Sequence, residues 1–297
     1  MGTLRGEITL SVADLAAAHA TSERAIRRSL GNALVHTSSR SCEELALEVA
    51  QTTLARGAVP ASSLSALGLV GTYPLRLQHD LGAEHAFTIN SARDCTALVG
   101  LMDTADRLFR TDPALETVLL TAAEKYVTTP QRTVGRIDEN VTRDIFSDGA
   151  SALVLCRGAG PLALLGFGAA TNGLYWDYWQ RAREGNAPND MHVMSAALPL
   201  FREAFARCLR AAKLDRNQID LLVFPSEGPS LPYTFARTLD LPKHKVFVAD
   251  QAPSHVGASD AVFSLEELLR SEVARTGAVV LVCSRTIGVV RFMLVRL

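Results

Sequence analysis

The chain has 297 residues, 48% of them apolar, with a formal net charge of −1. This is enough for one large or two medium domains with a full core, and it excludes a disordered chain. The 30 Lys and Arg residues are scattered rather than clustered, so neither nucleic acid nor an anionic membrane is indicated as the main partner. Five cysteines (Cys42, Cys95, Cys156, Cys208, Cys283) are far apart and form no Cys-x-x-Cys or Cys/His pair of metal spacing. That pattern predicts a reducing cytoplasm, no disulfides and no metal site. Met1–Leu10 has no apolar core of signal-peptide length, and no apolar run approaches the roughly 20 residues of a membrane span. A cytoplasmic protein is therefore expected.

Helical periodicity over Val12–Leu30 comes in two pieces, with Thr21-Ser22 offering an N-cap between them. Arg24, Arg27 and Arg28 crowd the second piece, either as a solvated face or as a site for phosphate or pyrophosphate. Next come a helix (Cys42–Arg56), a loop (Gly57–Ser63) and a strand (Leu64–Gly71). Strand His85–Asn90, a helix from Cys95 to Phe109, and strands Thr117–Ala122 and Gly149–Cys156 follow. Asn172–Asn189, with Trp176, Tyr178 and Trp179, breaks the pattern and reads as a linker or as an insertion that walls a pocket.

The same order then returns as helix Leu198–Lys213, loop Leu214–Gln218 and strand Ile219–Phe224. Strand Lys245–Ala249, helix Ser259–Val273 and strands Ala278–Cys283 and Val289–Val295 complete it. Alternating strands and helices predict parallel-rich sheets covered by helices, and the continuously apolar runs TVLLTA, IDLLVF and AVVLVC predict strands buried on both faces. A duplicated unit predicts two similar halves with a site where they meet. The division falls at residues 1–160, carrying Cys95, and 161–297, carrying His255.

Cys95 ends a β-rich run and stands at or just before the first turn of a helix whose apolar positions are Leu98, Leu101, Met102, Ala105, Leu108 and Phe109. Unpaired N–H groups and the positive end of the helix dipole stabilise a thiolate there, the form that attacks an acyl carbonyl. Asp94 beside it acts in the opposite direction. By position alone, Cys95 also reads as a small buried hydrophobe, as free cysteines usually are.

Phe146–Leu155 (FSDGASALVL) and Asn90–Asp106 resemble the thiolase superfamily, within it the β-ketoacyl-acyl-carrier-protein synthase III type, and the likeness runs through nearly the whole chain. The nucleophile segment is Cys95-Thr96-Ala97 through Ala105-Asp106, and the family's Phe-Gly-Asp-Gly-Ala turn appears as Phe146-Ser147-Asp148-Gly149-Ala150. Ala236–Pro242 before Lys245-Val246, Ser254–Leu265 and the closing Leu294-Val295-Arg296 also match. The resemblance implies an α/β thiolase-like fold of two βαβαβ-type halves packed as a five-layered α-β-α-β-α sandwich. It makes Cys95 the nucleophile and places Arg28, with Arg24 and Arg143, against coenzyme A or phosphopantetheine. The family's arginine before the fourth strand falls near Asn140, Arg143 being the nearest substitute. The resemblance implies dimerisation through the strand holding Phe87–Ile89, no tightly bound cofactor and no metal. Asp148 is expected to buttress a turn.

The departures bear on mechanism. The family's His-Gln-Ala-Asn stretch becomes Pro225-Ser226-Glu227-Gly228, and its Gly-Asn-Thr-Ser stretch becomes Ser254-His255-Val256-Gly257. The glycine-rich turn becomes Arg285-Thr286-Ile287-Gly288, leaving backbone N–H groups of Cys95 and Ile287 as the expected oxyanion hole. The family's first strand reads as mostly absent, and the stretch between Tyr73 and Leu81 as short. The two neutral donors needed for decarboxylative condensation are lost, whereas acyl transfer needs a thiolate, an oxyanion hole and one base. His255 is the expected base, oriented by Glu227 or Ser226. The expected function is an acyltransferase that loads an acyl group from acyl-coenzyme A or acyl carrier protein onto Cys95 and passes it to a small-molecule nucleophile in specialised metabolism. The alternatives are a catalytically silent subunit of a heterodimer, a condensing enzyme with an altered site, and a cysteine hydrolase.

Overall fold

Side-chain alternation along the apolar strands sets the layering. In the computed structural model, which describes all residues except 72–73, 127–145, 159, 179–180, 182–189 and 250–251, strand β11 (Val279–Thr286) sends Val280 and Val282 into one core. The intervening Val279, Leu281 and Cys283 enter another. Strand β6 (Thr117–Glu124) does the same with Val118, Leu120 and Ala122 on one side and Leu119 and Ala123 on the other. Each sheet is therefore covered on both faces.

The first sheet has the order β1-β7-β6-β4-β5, with β1 at Gly2–Arg5, β4 at Ala66–Val70, β5 at Phe87–Ser91 and β7 at Gly149–Cys156. The second has the order β10-β9-β11-β12-β8, with β8 at Ala163–Thr171, β9 at Leu221–Val223, β10 at Val246–Phe247 and β12 at Val289–Arg296. Read from the antiparallel edge, β1-β7-β6-β4-β5 and β8-β12-β11-β9-β10 follow the same plan: two antiparallel pairings, then two parallel ones.

Helices α3 (Cys42–Arg56) and α4 (Pro74–Leu81) cover the outer face of the first sheet. Helices α5 (Ala97–Thr111) and α8 (Asp260–Arg270) lie between the sheets, and α6 (Asp190–Ala212) with α7 (Leu231–Thr238) covers the second. The result is the five-layered thiolase-like sandwich. Gly168 of β8 lets α6 seat closely, because a Cβ there would stand 2.1 Å from the Ala204 carbonyl oxygen. Helices α1 (Val12–Ala18) and α2 (Glu23–Leu30), capped by Ser11 and Ser22, form a small satellite core with Val35 beside a ribbon of β2 (Ile8–Leu10) and β3 (Val35–Thr37).

Several expectations need correction. A first strand exists, since Gly2–Arg5 pairs antiparallel with Ala152–Gly149. Helix α6 begins at Asp190, eight residues before Leu198, and runs through Pro199. Only Val246 and Phe247 of Lys245–Ala249 are paired. Asp148 serves as the expected buttress: one carboxylate oxygen accepts the Tyr126 N–H (2.7 Å), and the other accepts the Ser38 N–H (2.9 Å) and the Thr37 hydroxyl (3.2 Å).

Candidate active site

Cys95 lies in the turn between β5 and α5, two residues before the first helical residue. Asp94 is engaged locally: its Oδ1 accepts the N–H and the hydroxyl of Thr96, both at 2.6 Å. The turn is held against the second sheet by Ser284 of β11, whose hydroxyl donates to the Cys95 carbonyl at 2.6 Å, and by Arg291 of β12, whose Nε donates to the Thr96 hydroxyl at 3.2 Å.

His255 Nε2 stands 3.3 Å from Cys95 Sγ, and its Nδ1 is hydrogen-bonded to Asp260 Oδ2. The other Asp260 oxygen accepts the Val256 N–H at 2.6 Å, which fixes the carboxylate at the start of α8. His255 and Asp260 are buried. The His255 ring packs on Phe146, centroids 4.6 Å apart, and its carbonyl accepts the Ser147 N–H at 2.9 Å. A parallel bridge Phe146↔His255 and another at Leu34↔Pro253 anchor this segment of the second half onto the first.

The result is a Cys–His–Asp line in the geometry of an activated nucleophile. Burial alone lowers the basicity of His255, but the charge of Asp260, the Cys95 sulfur and the hydrogen bonds from both raise it well above the ordinary histidine value. Burial pushes the Cys95 thiol up, His255 draws it down, and the carboxylates of Glu227 and Asp260 oppose its ionisation. The imidazole is thus a strong acceptor for the thiol proton.

Glu227 and Ser226 do not hold the orienting position assigned to them, because Asp260 occupies it. Glu227 instead forms a buried ion pair with Arg285. Its neighbour Ser226 lines a cavity of about 440 Å³ together with Leu30, Asn32, Phe224, Phe247 and Ala252. Ile287 sits in the β11–β12 turn, on a separate cavity of about 10 Å³ with Asn172, Val193 and Leu200. Arg24 and Arg28 are exposed on α2, whose C-terminal continuation Gly31–Ala33 lines the larger cavity. Arg143 and Asn140 lie outside the described residues, as does Trp179, while Trp176 is exposed. Asp260 was missed by the sequence reading. Its signal was an acid in the first turn of a predicted helix, five residues after a candidate base.

No family model matches the chain. A β-ketoacyl-[acyl-carrier-protein] synthase III of Alkalilimnicola ehrlichii is 27% identical over 270 residues, covering 82% of this chain and 80% of that protein. The solved structure of ChlB3, described as an acyltransferase, superposes with a TM-score of 0.85 at 20% identity, over all of this chain and 96% of that one. The Aquifex aeolicus 3-oxoacyl-[acyl-carrier-protein] synthase III superposes with a TM-score of 0.82 at 19% identity, over all of this chain and 98% of that one. Two similar sheets with a cysteine turn and a histidine loop between them define a thiolase-fold protein. In sequence, over about four fifths of its length, the chain is similar to β-ketoacyl-[acyl-carrier-protein] synthase III proteins.

Proposed function

We propose that the protein is an acyltransferase that carries its acyl group on Cys95 and delivers it to a hydroxyl or amine of a small molecule. The observation that carries this reading is the hydrogen-bonded sequence Cys95–His255–Asp260. Sγ attacks the carbonyl carbon of an acyl thioester as His255 Nε2 takes its proton. The carbon–sulfur bond to the donor breaks, and His255 returns the proton to the departing thiolate. The acceptor then attacks acyl-Cys95 while His255 takes its proton, the bond to Sγ breaks, and the sulfur recovers that proton. Backbone N–H groups of Cys95 and Ile287 are assigned to the oxyanion.

The donor is acyl-coenzyme A or a phosphopantetheinyl carrier protein. Its pantetheine arm is assigned to the 440 Å³ cavity beside Ser226, and Arg24 and Arg28 of α2, with Arg143, are assigned to its phosphates. No tightly bound cofactor is required by this chemistry. Pro225–Gly228 and His255 replace the pair of neutral donors that decarboxylative condensation uses, which favours transfer over carbon–carbon bond formation. Five free cysteines suit a reducing cytoplasm, and among the described residues no helix is long and apolar enough to cross a membrane.

The test is intact-protein mass spectrometry after incubation with a panel of acyl-coenzyme A and acyl-carrier-protein thioesters. A mass increase equal to the acyl group, lost in Cys95→Ala and discharged by hydroxylamine, is expected. No adduct with any donor overturns the proposal in favour of a silent partner subunit.

A further inference from the structure

Glu124, the last residue of β6, is fully buried and stands outside the Cys95–His255–Asp260 line. Its Oε1 accepts the N–H of Ala258, in the turn that joins His255 to Asp260, at 3.3 Å. Its Oε2 lies 3.6 Å from Nε of Arg93, two residues ahead of Cys95, and has no hydrogen-bond partner among the described residues. Tyr126 interacts with the same carboxylate, and its ring packs on Phe146, which in turn packs on His255. Gly257 closes the turn onto this group: its φ is +59°, and a Cβ there would stand 2.3 Å from the Tyr126 hydroxyl. One buried acid is therefore joined to both loops of the site, to the nucleophile's through Arg93 and to the base's through Ala258.

We propose that Glu124 is a positioning residue whose charge sets the proton equilibrium of the Cys95–His255 pair from beneath. Ionised, it holds Arg93 and favours a protonated His255, and so favours the thiolate. Protonated, it does neither. Burial pushes the Glu124 carboxyl up to about 7, against the pull of Arg93 and His255, so the change of state falls in the physiological range. The charged and titratable groups facing it are Arg93 and Cys95 on the nucleophile loop, Tyr126 after β6, His255 and Asp260 on the base segment, and Cys42 of α3 behind Arg93. The sign follows from attraction: as pH rises through the titration of Glu124, its negative charge raises the basicity of His255 and the sulfur becomes more reactive.

This rests on the reading that Cys95 and His255 act as a pair, and alkylation measures that pair whether or not the protein transfers acyl groups. The rate of Cys95 alkylation by iodoacetamide is followed across neutral pH at the Cys95 peptide by mass spectrometry, in the full chain. The wild type is expected to show an inflection that Glu124→Gln abolishes and that Arg93→Gln moves to higher pH, since the cation no longer favours the carboxylate. A Glu124→Gln profile that coincides with the wild type, or lies below it by the same factor at every pH, overturns the proposal. If Glu124→Gln does not fold, an unmoved inflection in Arg93→Gln overturns it. Failure of every acyl donor with the inflection intact removes the acyltransferase reading and leaves the role of Glu124 standing.

Discussion

At Nδ1 of His255, the Asp260 carboxylate supplies a hydrogen bond and the charge that favours the imidazolium, and both are lost when the acid becomes an amide. Asp260→Asn is expected to slow acyl loading of Cys95 by about 10²–10⁴-fold, the range for a general base deprived of its setting. Single-turnover mass spectrometry measures it, with thermal unfolding as the check on folding. The Glu227–Arg285 pair is of another kind. Both side chains are buried, so removing one leaves the other charged and desolvated. Glu227→Ala is expected to lower stability by about 3–5 kcal/mol, measurable by urea unfolding, with much of the loss recovered when Arg285 is replaced by Leu in the same chain. Sequence position could not separate Glu227 from Asp260 as the partner of His255. Glu227 is 28 residues upstream, on the loop after β9, and only the packing of that loop against β11 shows that Arg285 claims it.

Among the elements, the N-terminal ribbon is fastened by one exposed acid. Glu7, just ahead of β2, accepts hydrogen bonds from the Ser38 hydroxyl (2.7 Å) and from the N–H and hydroxyl of Ser39 (2.6 and 2.8 Å). These bonds hold its carboxyl down at about 2, from an ordinary value of 4.5. A lowered folded-state value means that this contribution is complete above the ordinary value and is lost as pH falls from there through about 2. Glu7→Gln is therefore expected to melt below the wild type at neutral pH, with the difference closing in strong acid, as differential scanning calorimetry over a pH series would register. The principal strands and helices were legible because their periodicities are strong. The runs TVLLTA, IDLLVF and AVVLVC carry the cores of the two sheets, and the duplication is visible in the order of elements. What escaped depends on tertiary context. Four residues of β1 become a strand only because β7 offers an unpaired edge, and α6 passes through Pro199, which in sequence reads as a helix start.

For the whole molecule, the first sheet ends at β5, whose outer edge is unpaired among the described residues and whose Phe87 is 45% exposed. An edge strand of this kind is a template for a second copy. The protein is expected to sediment as a dimer, and Phe87→Asp is expected to shift it toward monomer in sedimentation velocity. The anchoring of His255 on Phe146 has a consequence for how the molecule comes into being. The sulfur and its base are 160 residues apart in the chain, and they meet only when the base segment docks on the first half. A ribosome therefore releases the nucleophile long before the group that activates it. Throughout that interval the nascent chain displays Cys95 without its imidazole partner, and the Cys95–His255–Asp260 line is complete only after Asp260 has emerged and α8 has folded.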